Sequence, residues 1–294
     1  MAGMITAAPY QNGRLSLKAE GDTVYRGILE QLPPPQPITS VEEAADRMFS
    51  DGFIQFPDLF SPAEVAKIRT WMDGLGKPDS AYEMKDWCFN KDVMADLEHD
   101  PMWLSLMDRA PVYDVLTKLL GARIYLNWAK IWVTGKGRAM GIHLDHMDVV
   151  LPEDILMDPR VRVPIFDTTL HLYFDDQVEE IGPTLVIPGS HRAGRPPSNE
   201  STWHGIAPKM VSVKAGGAVL FRHDLWHGAA MNTSSRRRHL IQLRYVEARD
   251  RQYRHRHCSP AVLAAGTPRQ LSLIGQPSQR EAEAASMAMR MQGG

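Results

Sequence analysis

The sequence predicts a mainly β domain, a sandwich or small barrel, with helices ahead of it. Three observations carry this. The first third holds amphipathic helical segments with capping signals. From Arg123 onward the pattern switches to short apolar strands separated by Gly, Pro, Asn and Asp clusters. The chain has 294 residues, of which 44% are hydrophobic and 23% charged, enough to build one large packed core.

Residues 1–39 are polar and end in the proline-rich stretch Pro33–Pro37, which reads as an N-terminal arm. Ser40 and Glu43 have capping-box spacing and open a helix through Ala44, Ala45, Met48 and Phe49, which Asp51-Gly52 ends. Phe53–Phe56 reads as a short strand. Ser61, Pro62 and Glu64 supply an N-cap, an N1 proline and an N3 glutamate to a second helix. Its apolar face is Val65, Ile68, Met72 and Leu75, with Gly76 as the stop. Val112, Val115, Leu116 and Leu119 mark a third helix ending at Gly121.

The β-rich part begins with Arg123–Val133. Strand candidates follow at Thr168–Phe174, Thr184–Ile187, Met210–Val213, Ala218–Arg222 and Leu240–Val246. Residues 146–165 form a long insertion, the usual place for a lid. The tail from about Val262 is rich in alanine and methionine and reads as helical. The expected division is an arm at 1–39, a single domain at 40–250 and a C-terminal helical extension at 251–294.

Composition narrows the function classes. A formal net charge of −2 gives no electrostatic case for nucleic acid or an anionic membrane. No apolar run approaches the roughly 18 residues of a membrane span. No basic region followed by an apolar stretch opens the chain, so no secretion signal is expected. Cys88 and Cys258 do not make a disulfide framework, which fits a reducing cytoplasm. A small-molecule substrate is the expected partner, and nothing in the sequence sets an oligomeric state.

The chemistry concentrates in two segments. Gly141–His146 contains the pair His143-x-Asp145, and Trp226–Arg238 contains His227 with Arg238 eleven residues later. Two imidazoles and one carboxylate can cap one face of an octahedral metal and leave three positions open, the arrangement of non-haem Fe(II) oxygenases. On a strand, residues i and i+2 point to the same side, so His143 and Asp145 could reach one ion. A lone His-x-Asp is weak, because such pairs arise by chance. It is also duplicated here: His146-x-Asp148 follows directly. The first pair is preferred because it follows the turn at Gly135–Gly137, which leaves His146 and Asp148 as outer or surface residues. His223 is expected to face the cavity without touching metal, and His239 to be structural.

These residues resemble the phytanoyl-CoA dioxygenase family of Fe(II)/2-oxoglutarate oxygenases over roughly residues 43–247. Four blocks carry the resemblance. Asp51–Ile54 with Ser61–Glu64 is similar to the family's N-terminal opening. His143-Leu-Asp145 matches its metal pair. Phe174–Asp176, Gly182 and Val186–His191 match its strand and turn block. His227, Asn232, Ser234 and Arg238 match its distal histidine, turn and arginine. The order of all four blocks is specific.

The resemblance implies a double-stranded β-helix, a cupin-like jelly roll. It implies Fe(II) on His143, Asp145 and His227, with 2-oxoglutarate and O2 as cosubstrates. It implies a substrate C–H bond hydroxylated as 2-oxoglutarate is converted to succinate and CO2. Arg238 would grip the C5 carboxylate of 2-oxoglutarate, a role suited to a planar guanidinium; Arg236 and Arg237 are expected at the surface. Asn127 and Ser234 are further cosubstrate candidates, with Lys130 and Thr134 behind them. His171, also a cosubstrate candidate, stands where many members carry a cavity tryptophan, which alters one wall of the pocket. Because Asp145 is a carboxylate, the chain does not resemble the halogenating branch. Candidate substrate-pocket residues are Tyr82, Trp87, Phe89, the insertion and Trp226. The competing reading is a non-oxidative cupin-type metal-binding protein or isomerase, for which an arginine at 238 has no purpose.

Overall fold

The computed structural model describes residues 24–75, 99–247 and 258–276 with their side chains, and 89–92 as backbone. The helices start where their caps are. Ser40 Oγ accepts from Glu43 N at 3.1 Å to open α1 (Val41–Ser50). Ser61 and Glu64 form a reciprocal box at the start of α2 (Pro62–Gly74), with Ser61 N donating to Glu64 Oε2 at 2.8 Å. Between them runs β2 (Phe53–Phe56). The expected stop at Gly76 lies outside the described residues; α2 ends at Gly74 with Leu75 as its cap. α3 (Val112–Leu120) ends at Gly121, whose φ of 82° suits a residue without Cβ.

The remaining elements, in chain order, are β1 (Glu30–Gln31), β3 (Phe89–Asp92), β4 (Ile124–Thr134), β5 (Met140–His143), α4 (Glu153–Leu156), β6 (Asp167–Tyr173), β7 (Thr184–Val186), β8 (Lys209–Met210), β9 (Ala218–Arg222), β10 (His227–Ala229), β11 (Arg238–Glu247), α5 (Pro260–Ala265) and α6 (Pro268–Leu273). The strands form two sheets. The major sheet has the order β2-β9-β6-β11-β4-β3, and the minor sheet β1-β8-β7-β10-β5. This is the jelly-roll architecture expected from the sequence.

The structure adds β3 and α4 to the elements read from the sequence and differs from that reading at further places. The strand expected at Met210–Val213 is only Lys209–Met210: Val211 N still donates to Thr184 O, but Ser212 N donates to the Gln55 side chain in place of a strand neighbour. Within the stretch 1–39, Glu30–Gln31 pairs in parallel with β8. β5 and β10, four and three residues long, have no counterpart among the expected strands.

Core packing follows strand parity. On β4 the residues Ile124, Leu126, Ala129, Ile131 and Val133 face one way, and Ile241, Leu243 and Tyr245 of β11 do the same. That face is covered by α1, α2 and α3 and by Val262, Leu273 and Ile274 of the C-terminal segment. Burying each such side chain contributes about 1.5–3 kcal/mol, so this outer layer holds the major sheet rigid. Between the sheets lie Phe53, Tyr173, Val186, Val219, Phe221 and Leu240. The inter-sheet space toward β4 and β5 is not filled by apolar side chains, and the polar residues of the site occupy it.

Gly182 is fixed by close contact. Its φ is +73°, and a Cβ there would lie 2.6 Å from both Ala230 O and Asn232 N. Gly182→Ala is expected to destabilise the fold by about 1–3 kcal/mol. A urea midpoint unchanged from that of the unsubstituted protein would contradict this close-contact account.

Candidate metal centre

β10 pairs antiparallel with β5, with His227 directly opposite His143. The two imidazole centroids are 4.3 Å apart. His143 Nδ1 lies 2.8 Å from Gly141 O, and His227 Nδ1 lies 3.0 Å from Leu225 O. A carbonyl only accepts, so each Nδ1 carries the proton and each Nε2 keeps its lone pair. Both lone pairs are directed to the side where Asp145 stands.

Asp145 lies two residues beyond β5, in a bend rather than on the strand. The same-side rule for strand residues therefore does not position it. Its backbone N–H does so by donating to His223 O at 3.0 Å. Asp145 Oδ1 is 3.9 Å from His143 Nε2 and 3.8 Å from His227 Nε2. One donor atom from each of the three residues lies within 4.8 Å of the others.

The electrostatics suit a divalent ion. Burial pushes the His227 imidazole down to about 4, with His143 beside it acting the same way, so it is neutral at pH 7. Burial alone would raise the Asp145 carboxyl. The imidazoles of His227, His223 and His143 outweigh it and hold the group well below the usual carboxylate range. Neutral nitrogens and one carboxylate oxygen are a donor set that Fe(II) accepts, and His227 and Asp145 already have the proton states that binding requires.

The second pair behaves differently. His146 and Asp148 bond to each other at 3.4 Å, partly exposed, and stand outside the three-residue cluster. His223 faces Asp145 at 3.9 Å without joining the cluster. His239 is buried against Asp175 and Asp73, a structural position.

A cavity of about 300 Å³ opens beside the three residues. Its wall includes Trp128, Lys130, Trp132 and Thr134, one face of β4, and Arg238, Leu240 and Gln242, one face of β11. Arg238 is buried, lies opposite Thr134, and donates from a guanidinium nitrogen to Gly182 O. Arg236 and Arg237 point elsewhere and pair with Glu180 and Asp73 at the surface. His171 lines the cavity, is held neutral by burial, and its Nε2 has no hydrogen-bond partner in the structure. A buried, unpartnered nitrogen in a cavity wall fits a site built to receive a polar ligand.

Three sequence candidates, Asn127, Ser234 and Trp226, are not in the wall. Asn127 sits at the bulge where β4 slips against Arg244 and Tyr245 of β11. Ser234 bonds through its Oγ and its N–H to Asn232 Oδ1 and accepts from Arg236 N, shaping the turn into β11. Trp226 is packed on the outer side of the minor sheet with Ile142 and Ile187. Tyr82 and Trp87 lie outside the described residues, and Phe89 is described only as backbone. The insertion lines a separate cavity of about 510 Å³ with α1 and residues 191–195, which shares no wall residue with the first. Sequence reasoning missed Thr184 and Arg138 as wall residues, which carry no local signal, whereas strand parity along β11 sets Leu240 and Gln242 on the side of Arg238.

Comparison with known proteins agrees with this geometry. The phytanoyl-CoA dioxygenase family profile matches residues 48–240. L-proline trans-4-hydroxylase from Streptomyces griseoviridis is 25% identical over 244 residues, covering 69% of this chain and 85% of that protein. Among solved structures, HygX from Streptomyces hygroscopicus with nickel and 2-oxoglutarate bound has a TM-score of 0.56 at 19% identity, covering 76% of this chain and 94% of its own. The 2-oxoglutarate-dependent epimerase SnoN from nogalamycin biosynthesis has a TM-score of 0.54 at 18% identity, covering 71% and 83%. At these identities the two structures speak for the fold.

The two His-x-Asp pairs are separable by calorimetric titration of the apoprotein with Co(II). Asp145→Ala and His227→Ala are expected to lose stoichiometric binding, and Asp148→Ala to keep it. The reverse pattern for the two aspartates would assign the metal to the second pair.

Proposed function

The chain belongs to the phytanoyl-CoA dioxygenase family of 2-oxoglutarate-dependent non-haem iron oxygenases, and from that premise we propose that it hydroxylates an unactivated C–H bond of a small metabolite. The observation that carries this is the placement of the three-donor cluster and Arg238 around one cavity of about 300 Å³. That space suits a five-carbon dicarboxylate and a small second molecule better than a macromolecule. The oxygenase domain in this reading spans residues 40–250, between the arm at 1–39 and the extension at 251–294.

In this reading His143, Asp145 and His227 hold Fe(II), and Arg238 takes the distal carboxylate of 2-oxoglutarate. The iron, loaded with 2-oxoglutarate and O2, supplies the oxidising power for the C–H bond, with succinate and CO2 released. The protein's own residues bind, orient and exclude water. Gly182 O holds Arg238 in place, and a guanidinium so fixed can meet a carboxylate along two parallel N–H bonds. Trp128, Trp132 and Leu240 give the cavity apolar walls that limit water near the reacting carbon. Ser234 acts indirectly, through the turn that leads into β11.

The charges favour an acidic substrate. The cavity wall carries Lys130, Arg138 and Arg238 against one carboxylate, Asp145. Three cationic side chains against one carboxylate give the wall a positive potential, which suits a substrate that carries a carboxylate, as in an amino or hydroxy acid. L-proline trans-4-hydroxylase, named for an amino-acid substrate, is a relative in keeping with this. Other outcomes run on the same scaffold, as the epimerase SnoN illustrates.

A panel of small acids, each paired with its methyl ester, tests this through substrate-dependent succinate release with product mass. The expected result is coupled release with a gain of one oxygen for an acid and not for its ester. A product of unchanged mass would replace hydroxylation with epimerisation. Arg238→Ala is expected to raise the 2-oxoglutarate dissociation constant about 10–100-fold, the loss of a charge-assisted bond pair, while Co(II) binding stays intact. Unchanged cosubstrate affinity would remove Arg238 from its role.

A further inference from the structure

The second oxygen of Asp145 is as well organised as the first. Thr169 Oγ1 donates to Asp145 Oδ2 at 3.2 Å. The same hydroxyl lies 2.5 Å from His223 Nε2. Thr169 has one hydroxyl proton, and the arrangement in which it goes to the carboxylate is the one in which His223 Nε2–H donates to Thr169 Oγ1. His223 also acts through its backbone: its carbonyl accepts from Asp145 N at 3.0 Å and from His146 N at 3.2 Å. On its other side the imidazole meets Asp167 at 3.2 Å, and Arg244 Nε donates to Asp167 at 2.6 Å. His223, Thr169 and Asp167 are all buried.

This network converges on one atom. Asp145 Oδ2 is engaged by Thr169, while Oδ1 is the oxygen nearest both ligand nitrogens. A carboxylate with both oxygens free can occupy two positions on an ion; a hydrogen bond from a fixed donor to the second oxygen favours occupying one. An octahedral ion with three one-atom ligands keeps three positions open, as many as a chelating 2-oxo acid and one further small molecule need. A two-oxygen Asp145 would leave only two.

We propose that His223 is a positioning residue that, acting through Thr169 and through its own backbone carbonyl, restricts Asp145 to one-oxygen ligation and so keeps the third coordination position open. The inference rests on the metal reading of His143, Asp145 and His227. It also explains an arrangement that reading does not require: a buried histidine one residue after β9 of the major sheet, grasping a residue just past β5 of the minor sheet. Partners of metal ligands of this kind change metal affinity about 10–100-fold when removed.

Thr169→Val keeps the shape of the side chain and removes the hydroxyl; Thr169→Ser keeps the hydroxyl. Each apoprotein is titrated with Co(II), and the Co(II) form is then titrated with 2-oxoglutarate and followed by its visible absorption. The expected result is about 10-fold or greater weakening of Co(II) binding in Thr169→Val, an altered Co(II) spectrum, and a weaker response to 2-oxoglutarate. Thr169→Ser is expected to restore all three. His223→Phe, which removes Nε2 but not the backbone carbonyl, is expected to fall between Thr169→Val and the unsubstituted protein. Co(II) and 2-oxoglutarate binding in Thr169→Val equal to that of the unsubstituted protein would overturn the proposal and leave the metal reading standing. A failure of Thr169→Ser to restore the Co(II) spectrum would also overturn it. Absence of Co(II) binding in the unsubstituted protein would overturn both.

Discussion

The antiparallel register of β5 and β10 is the constraint on which the rest depends. It sets His143 opposite His227, and strand side chains alternate, so a slip of one residue would turn one imidazole away from the cavity. β10 is three residues long and is held on both sides, by β5 and by β7. Its hydrogen bonds alone are too few to define it. The buried layers do so: Ile142, Leu185 and Trp226 on the outside of the minor sheet, and Phe221 against His227 on the inside, with ring centroids 4.6 Å apart. The metal ligands are thus held by packing that is not itself reactive.

Two further consequences follow from that register. Each histidine bonds its Nδ1 to a carbonyl two residues back in its own chain, so the ligand tautomer is written into the local backbone. Asp145 has no such local device, since it stands past the strand end. It borrows rigidity from the β9–β10 connection, through His223. Two ligands are therefore fixed locally and one across the sheets, which makes the carboxylate the ligand most sensitive to distant changes.

Much of the frame was legible because its signals are local. Ser40, Ser61 and Glu64 cap their helices as their spacing implies. β2 and β9 match their expected bounds, and β4, β6 and β11 shift by one or two residues. The His-x-Asp pair, His227 and Arg238 were visible from spacing and from the ordered family blocks around them. β5 and β10 had no bounds in the sequence, although the ligand argument set His143 on a strand, because Met-Gly-Ile-His and His-Gly-Ala are too short and too glycine-rich to show alternation. The cavity wall was only partly legible. Lys130 and Thr134 were in view, but the bulge beside Asn127 breaks the parity count along β4. Thr184 and Arg138 reach the cavity by tertiary placement alone. Likewise, nothing near His223 in the sequence announces that its partners are Thr169 and Asp145.

The central claim is that one cavity holds a metal on His143, Asp145 and His227 and the far carboxylate of 2-oxoglutarate on Arg238. The most direct measurement is the visible spectrum of the Fe(II)-loaded protein without O2 as 2-oxoglutarate is added. The account predicts a saturable metal-to-ligand charge-transfer band, absent in His227→Ala and needing higher 2-oxoglutarate in Arg238→Ala. A protein that binds Fe(II) yet shows no such band at saturating 2-oxoglutarate would contradict it.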